Sequence, residues 1–150
     1  MKIVIDTNIV ISTLIKSDGS IGKLLLRELN DFDKIACHYL YIELFDKKEK
    51  MLKLSKLTDE EFLDLLYLLI KKVDFINEEQ ITDENWKKAF DLTKDVDVKD
   101  ISHVALTIHT NAKLWTGDKK LYNGLKAKGF EDVINTNEIR NFLAEYKLKQ

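Results

Sequence analysis

Short apolar runs alternate along this chain with longer stretches whose apolar positions recur every three or four residues. Residues 2–5, 34–37, 113–116 and 133–135 are brief and mostly apolar, the pattern of strands buried on both faces. Residues 73–76 read as a further short strand. Helical spacing predicts helices over 8–15, 21–29, 39–50, 82–94, 100–109, 119–128 and 137–146, with Asp18-Gly19-Ser20 breaking the first two apart and Gly129 closing the sixth. A capping box opens one more helix, in which Thr58 reaches toward Glu61. Phe62, Leu65, Leu66 and Leu69 then fall on one face of that helix. Strands that alternate with helices predict an α/β fold with a parallel sheet covered on both sides. No Gly/Pro/Ser-rich linker divides the 150 residues, so one domain over 1–150 is expected.

Composition narrows the partners. The chain is 45% hydrophobic and carries 24 basic against 26 acidic residues, a net charge of −2. There is no bulk attraction to nucleic acid or to a membrane surface, so any nucleic-acid contact must rest on a local basic patch and on metal. The apolar runs are too short to span a bilayer. No secretory-signal pattern opens the chain. The single cysteine, Cys37, permits no internal disulfide and fits a reducing cytoplasm; its apolar neighbours mark it as a small buried side chain.

Four acids stand out by their placement. Asp6 closes the run Ile3-Val4-Ile5, Glu43 interrupts a large apolar segment, Asp100 opens the run from Ile101 to Leu106, and Asp118 follows Leu114-Trp115-Thr116-Gly117. A carboxylate near apolar surface is costly unless paired or bound to a cation. In an open parallel sheet, ligands sit beyond the carboxyl ends of the strands, where Asp6 and Asp118 would both project. Asp100 at a helix start and Glu43 near the start of another can reach the same edge. Crowded carboxylates repel one another, and Mg2+ or Mn2+ relieves that conflict because hard cations prefer carboxylate oxygen. Such a site suits phosphodiester chemistry without a serine, histidine or cysteine nucleophile. Taken singly, Asp6 and Asp118 also read as helix caps and Asp100 as a surface acid; the joint pattern favours a site.

The motifs around these acids resemble those of PIN-domain nucleases. Ile3-Val4-Ile5-Asp6-Thr7-Asn8 is similar to their opening motif, and Tyr41-Ile42-Glu43-Leu44 to the second. Asp97-Val98-Lys99-Asp100 with His103-Val104-Ala105-Leu106 resembles the third, and Leu114-Trp115-Thr116-Gly117-Asp118-Lys119-Lys120-Leu121 the fourth. The resemblance runs from the first strand to the last. It implies a three-layer α/β/α sandwich with a short central parallel sheet, Mg2+- or Mn2+-dependent ribonuclease activity on RNA, and often a homodimer. Many small stand-alone members resemble the toxin of a VapBC-type pair, whose cognate antitoxin inserts a segment into the active site. Carried over by position, Asp6, Glu43, Asp100 and Asp118 are the catalytic metal-site acids.

Asp97, three residues before Asp100, reads equally as a further metal ligand and as a loop or cap acid. Asn8 is expected to orient Asp6 or bind phosphate, and Thr116 to hydrogen-bond a ligating carboxylate or a metal-bound water. Ordinary turn or cap roles fit both of them as well. His103 stands where some relatives carry a large apolar residue and reads as a packing histidine. Trp86 and Trp115 read as core. Lys47, Lys48 and Lys50, like Lys119 and Lys120, read as solvated lysines within reach of phosphate. A haloacid-dehalogenase-like phosphatase would carry a second aspartate where Asn8 stands, and a receiver-domain phosphoacceptor leaves Glu43 unexplained. A PIN-like RNA-binding module with a degenerate site and a housekeeping RNA-processing nuclease without an antitoxin are the remaining alternatives.

Overall fold

In the computed structural model, which describes residues 1–150, five strands form one parallel sheet in the order β3-β2-β1-β4-β5. They are β1 (Lys2–Ile5), β2 (Asp33–Cys37), β3 (Asp74–Ile76), β4 (Lys113–Trp115) and β5 (Val133–Ile134). Each falls where an apolar run predicts it. Successive side chains of a strand point to opposite faces, and the core divides accordingly. Ile3, Ile5, Ala36 and Trp115 face one apolar layer, whereas Val4, Ile35, Cys37, Leu114 and Val133 face the other.

Nine helices supply the outer layers. The first face is covered by α1 (Thr7–Ile15), α2 (Ser20–Lys23), α3 (Tyr39–Asp46), α4 (Lys48–Ser55), α5 (Asp59–Lys72) and α9 (Thr136–Leu148). The second is covered by α6 (Asp83–Thr93), α7 (Ile101–Thr110) and α8 (Lys119–Ala127). The result is the three-layer α/β/α sandwich. The capping box of α5 forms in full, with Thr58 and Glu61 bonded reciprocally. No helix is long and apolar enough to cross a membrane.

Two helices depart from the expected pattern. The helix expected over 39–50 breaks at Lys47, whose backbone leaves the helical region (φ −103°, ψ 5°). The charged run Lys47-Lys48-Glu49-Lys50 gives that turn no apolar anchor, and α4 resumes to bury Met51. It ends at Lys56 in a left-handed conformation (φ 59°), a stop that helices usually mark with glycine. The helix expected over 21–29 widens after Lys23 into a π-helical stretch, Leu24–Glu28, which buries Leu24, Leu25 and Leu26 together.

The strand order positions the site. From β1 the chain proceeds to β2 and β3 on one side, then returns to β4 on the other. The reversal leaves a crevice beyond the carboxyl ends of β1 and β4, the place where open α/β sheets bind ligands.

Candidate metal centre

Asp6 leaves β1 at this crevice. It occupies the N-cap position of α1, yet its carboxylate makes no cap bond. Its Oδ2 instead accepts a 2.6 Å hydrogen bond from the Thr116 hydroxyl, just past β4. Thr116 Oγ1 also accepts from the Asp118 backbone N–H at 3.0 Å. One threonine thus ties the ends of β1 and β4 together and aims Asp6. Asp6 is buried, at 2% exposure. A capping role does not explain it.

Asp100 closes a 3-10 turn, Val98–Asp100, and stands at the N-cap of α7, again without a side-chain cap bond. Carboxylate oxygens of Asp6 and Asp100 and a ring nitrogen of His103 all lie within 4.8 Å of one another. Burial pushes the Asp100 carboxyl up to about 7; the charge of Asp6 adds to this, as do Asp97 and Asp118, while His103 opposes it. A half-buried carboxyl with a raised pKa beside a second acid is the electrostatic mark of a site arranged for a cation.

The other acids surround this pair. Asp118 Oδ1 caps α8, accepting from the backbone N–H of Lys120 at 2.9 Å and of Leu121 at 3.2 Å; the cap uses one oxygen of two. Asp97 caps the 3-10 turn through the Lys99 N–H at 3.0 Å, so its cap reading is realised, and it remains close enough to raise Asp100. Glu43, on α3, accepts from the Thr7 hydroxyl at 2.8 Å and lies 3.4 Å from His103 Nε2. Burial alone would raise the Glu43 carboxyl, but the hydrogen bonds from His103 and Thr7 outweigh it and hold the group below its ordinary range.

Two residues at the centre escape the sequence reading. Thr7 appears there only as part of a motif, and His103 as packing. His103 is buried, but it is a polar hub. Its Nε2 lies 3.1 Å from Thr7 Oγ1, 3.4 Å from Glu43 and 3.7 Å from Asp6, while Nδ1 lies 3.5 Å from Cys37 Sγ. Burial would lower this imidazole; the Cys37 sulfur, Glu43 and Asp6 carry it well above its ordinary value. The signal was available, since His103 lies one helical turn after Asp100 and interrupts an apolar run. Asn8 follows Asp6 by two residues. It is exposed on α1 and lines a separate cavity of about 200 Å3 with Ile11, Lys47 and Lys50. Trp115 is fully buried and Trp86 packs against the second core layer.

The donor set fits a hard divalent cation. Asp6 and Asp100 offer carboxylate oxygens at one point, with Asp118 one hydrogen-bond link away through Thr116. A polar cleft of about 220 Å3 opens at the Asp118 side, lined by Thr116, Lys119, Tyr122 and Asn137 among others. Replacing Thr116 with Val removes the hydroxyl that aims Asp6 and the acceptor for the Asp118 amide. The expected result is about tenfold weaker metal binding by calorimetry, with a stability loss of about 1–3 kcal/mol in urea.

Fold and site together define an α/β/α protein with an acidic centre at the switch point of its sheet. The family model for the PIN domain matches residues 4–140, and the chain belongs to the PIN domain family, a family of nucleases. Comparison with curated proteins gives no match. Among solved structures, the chain is similar to one in the crystal structure of VapBC2 from Rickettsia felis bound to a DNA fragment from their promoter. The TM-score is 0.63 at 17% identity, over 90% of this chain and 97% of that one. That likeness is one of fold.

Proposed function

We propose that this protein is a divalent-metal-dependent endoribonuclease acting on single-stranded or structured RNA, and the toxin half of a VapBC-type pair. The observation that carries the catalytic reading is Asp6, a buried carboxylate at a helix start that caps nothing and is aimed by Thr116 at Asp100. Asp6 and Asp100 would hold Mg2+ or Mn2+, with Asp118, Glu43 and Asp97 completing the acidic surround. Such an ion would supply an activated water and charge stabilisation for phosphodiester hydrolysis. The chain's own residues do the rest. Thr116 orients Asp6. Glu43, bonded by Thr7, close to His103 and 24% exposed, would accept a proton from the attacking water. Lys119 beside the cleft attracts phosphate on a protein that has no net positive charge. Residues 1–150 act as one unit built on the one sheet.

Incubation of the protein with total RNA and Mn2+ is the direct test. Cleavage that EDTA abolishes supports the reading; a protein that neither cuts RNA nor binds Mg2+ or Mn2+ overturns it.

An apolar groove supports the partner half of the proposal. Leu14, Tyr41, Phe45, Met51, Leu63 and Leu66 line about 240 Å3 between α1, α3, α4 and α5. Phe45 is 78% exposed there, and Leu63 is 57% exposed. Grouped apolar side chains of this kind mark interaction surfaces. An apolar antitoxin segment would fill the groove, and a second copy of the chain is the competing occupant. Phe45→Lys is expected to weaken antitoxin binding by about tenfold or more, as for an aromatic anchor, and to leave RNA cleavage unchanged. Unaltered binding in a titration would remove the groove from the interface.

A further inference from the structure

Three of the groups that meet beneath the acids are neutral or basic: Cys37, His103 and Thr7. Their proton inventory is decisive. The Thr7 hydroxyl donates its one proton to Glu43 Oε1 at 2.8 Å. The 3.1 Å contact between Thr7 Oγ1 and His103 Nε2 can then be a hydrogen bond only if Nε2 carries a proton and donates it. The same N–H edge faces Glu43 Oε1 at 3.4 Å and Asp6 Oδ1 at 3.7 Å. Cys37 Sγ, on β2, backs the ring at Nδ1 from the sheet side. A nitrogen occupied by a proton and aimed at a hydroxyl and two carboxylates has no lone pair for a cation. Proximity of a His103 nitrogen to Asp6 and Asp100 would by itself suggest a three-ligand set.

We infer that His103 is a positioning residue of the acidic centre and not one of its metal ligands: its Nε2–H, braced by Cys37, fixes Thr7, Glu43 and Asp6 from below. The inference rests on the metal-centre reading of the acids. The donor role needs only Nε2–H, which the neutral tautomer and the imidazolium both carry. A ring clamped between two strands' ends and α3 holds the carboxylates in place before an ion or a substrate arrives, and thereby lowers the cost of ordering them.

The test compares wild type with His103→Phe, which keeps a ring and loses both nitrogens, and with His103→Gln, which restores an N–H donor but not an imidazole. Mn2+ binding is measured without RNA by calorimetry, turnover and KM with RNA, and the surroundings of bound Mn2+ by pulsed electron paramagnetic resonance. Circular dichroism checks folding. His103→Phe is expected to lose about 10–100-fold in Mn2+ affinity or in turnover, with KM for RNA little changed, and Gln to recover most of that loss. Bound Mn2+ in the wild type should show no imidazole nitrogen coupling. A nitrogen coupling overturns the inference, as does Gln performing no better than Phe or Phe behaving as wild type. If the Phe variant does not fold, the wild-type spectrum and the Gln variant still decide. If wild type binds Mn2+ but cuts no RNA, the Mn2+ isotherms alone judge the role of His103, and only the nuclease reading fails.

Discussion

Asp6→Asn is expected to lower Mn2+-supported RNA cleavage by about 10^2–10^3-fold, equivalent to several kcal/mol of lost charge stabilisation, with the fold retained. The substitution is nearly isosteric, and an asparagine carbonyl can still accept the Thr116 hydroxyl that now bonds Asp6 Oδ2 at 2.6 Å. The bond between the Asp6 backbone N–H and the Trp115 carbonyl, at 3.2 Å, is untouched. What disappears is a negative charge in a buried position. Burial remains the main cause of the raised Asp100 carboxyl, but the contribution of Asp6 vanishes, so Asp100 titrates lower in the variant. A variant that melts like wild type yet neither binds Mn2+ nor cuts RNA is the expected outcome. Full cleavage by Asp6→Asn would remove Asp6 from the metal centre and leave the proposed chemistry without its main support.

Metal binding should strengthen about 100-fold between pH 5 and pH 8, with release of a proton as the ion enters. The cause is Asp100. With its carboxyl at about 7 in the ion-free protein, it is about 1% ionised at pH 5 and about 90% ionised at pH 8, and a metal must displace the proton that remains. The stability of the ion-free protein moves oppositely. A folded-state value raised above the unfolded one contributes stability that is fully present below about pH 4 and is lost as pH rises through about 7. Glu43 works in the other sense: its depressed carboxyl contributes stability above its ordinary value and loses it in acid. Calorimetric Mn2+ titrations in buffers of different ionisation enthalpy read both the affinity and the proton count. A flat pH profile with no proton release would show that Asp100 is already ionised and that burial does not govern this site.

Much of the site was legible because backbone geometry alone brings strand ends together. Asp6 and Asp118 follow strand patterns, and a parallel sheet sends both to one edge whatever their side chains do. The hydrogen bond of Thr116 to a carboxylate agrees with its place two residues before Asp118. Two things were not legible. For Asp97 the sequence allows both ligand and cap, and one 3.0 Å bond from the Lys99 amide shows that it caps. His103 reads as packing in the sequence because apolar neighbours are all that the local sequence displays. Its partners Thr7, Cys37 and Glu43 come from 96, 66 and 60 residues away in the chain, on three other elements.

By itself the amino-acid sequence determined the alternation of strands and helices, the parallel sheet and the acids that end its strands, because periodicity and apolar runs are local properties that hydrophobic burial enforces. Only the tertiary structure decided which acids cap helices and which do not, and that a buried histidine lies among Thr7, Glu43, Asp6 and Cys37. Hydrogen-bond partnership is settled by distances between distant segments, and a carboxylate's protonation by the burial and charges those segments bring to it.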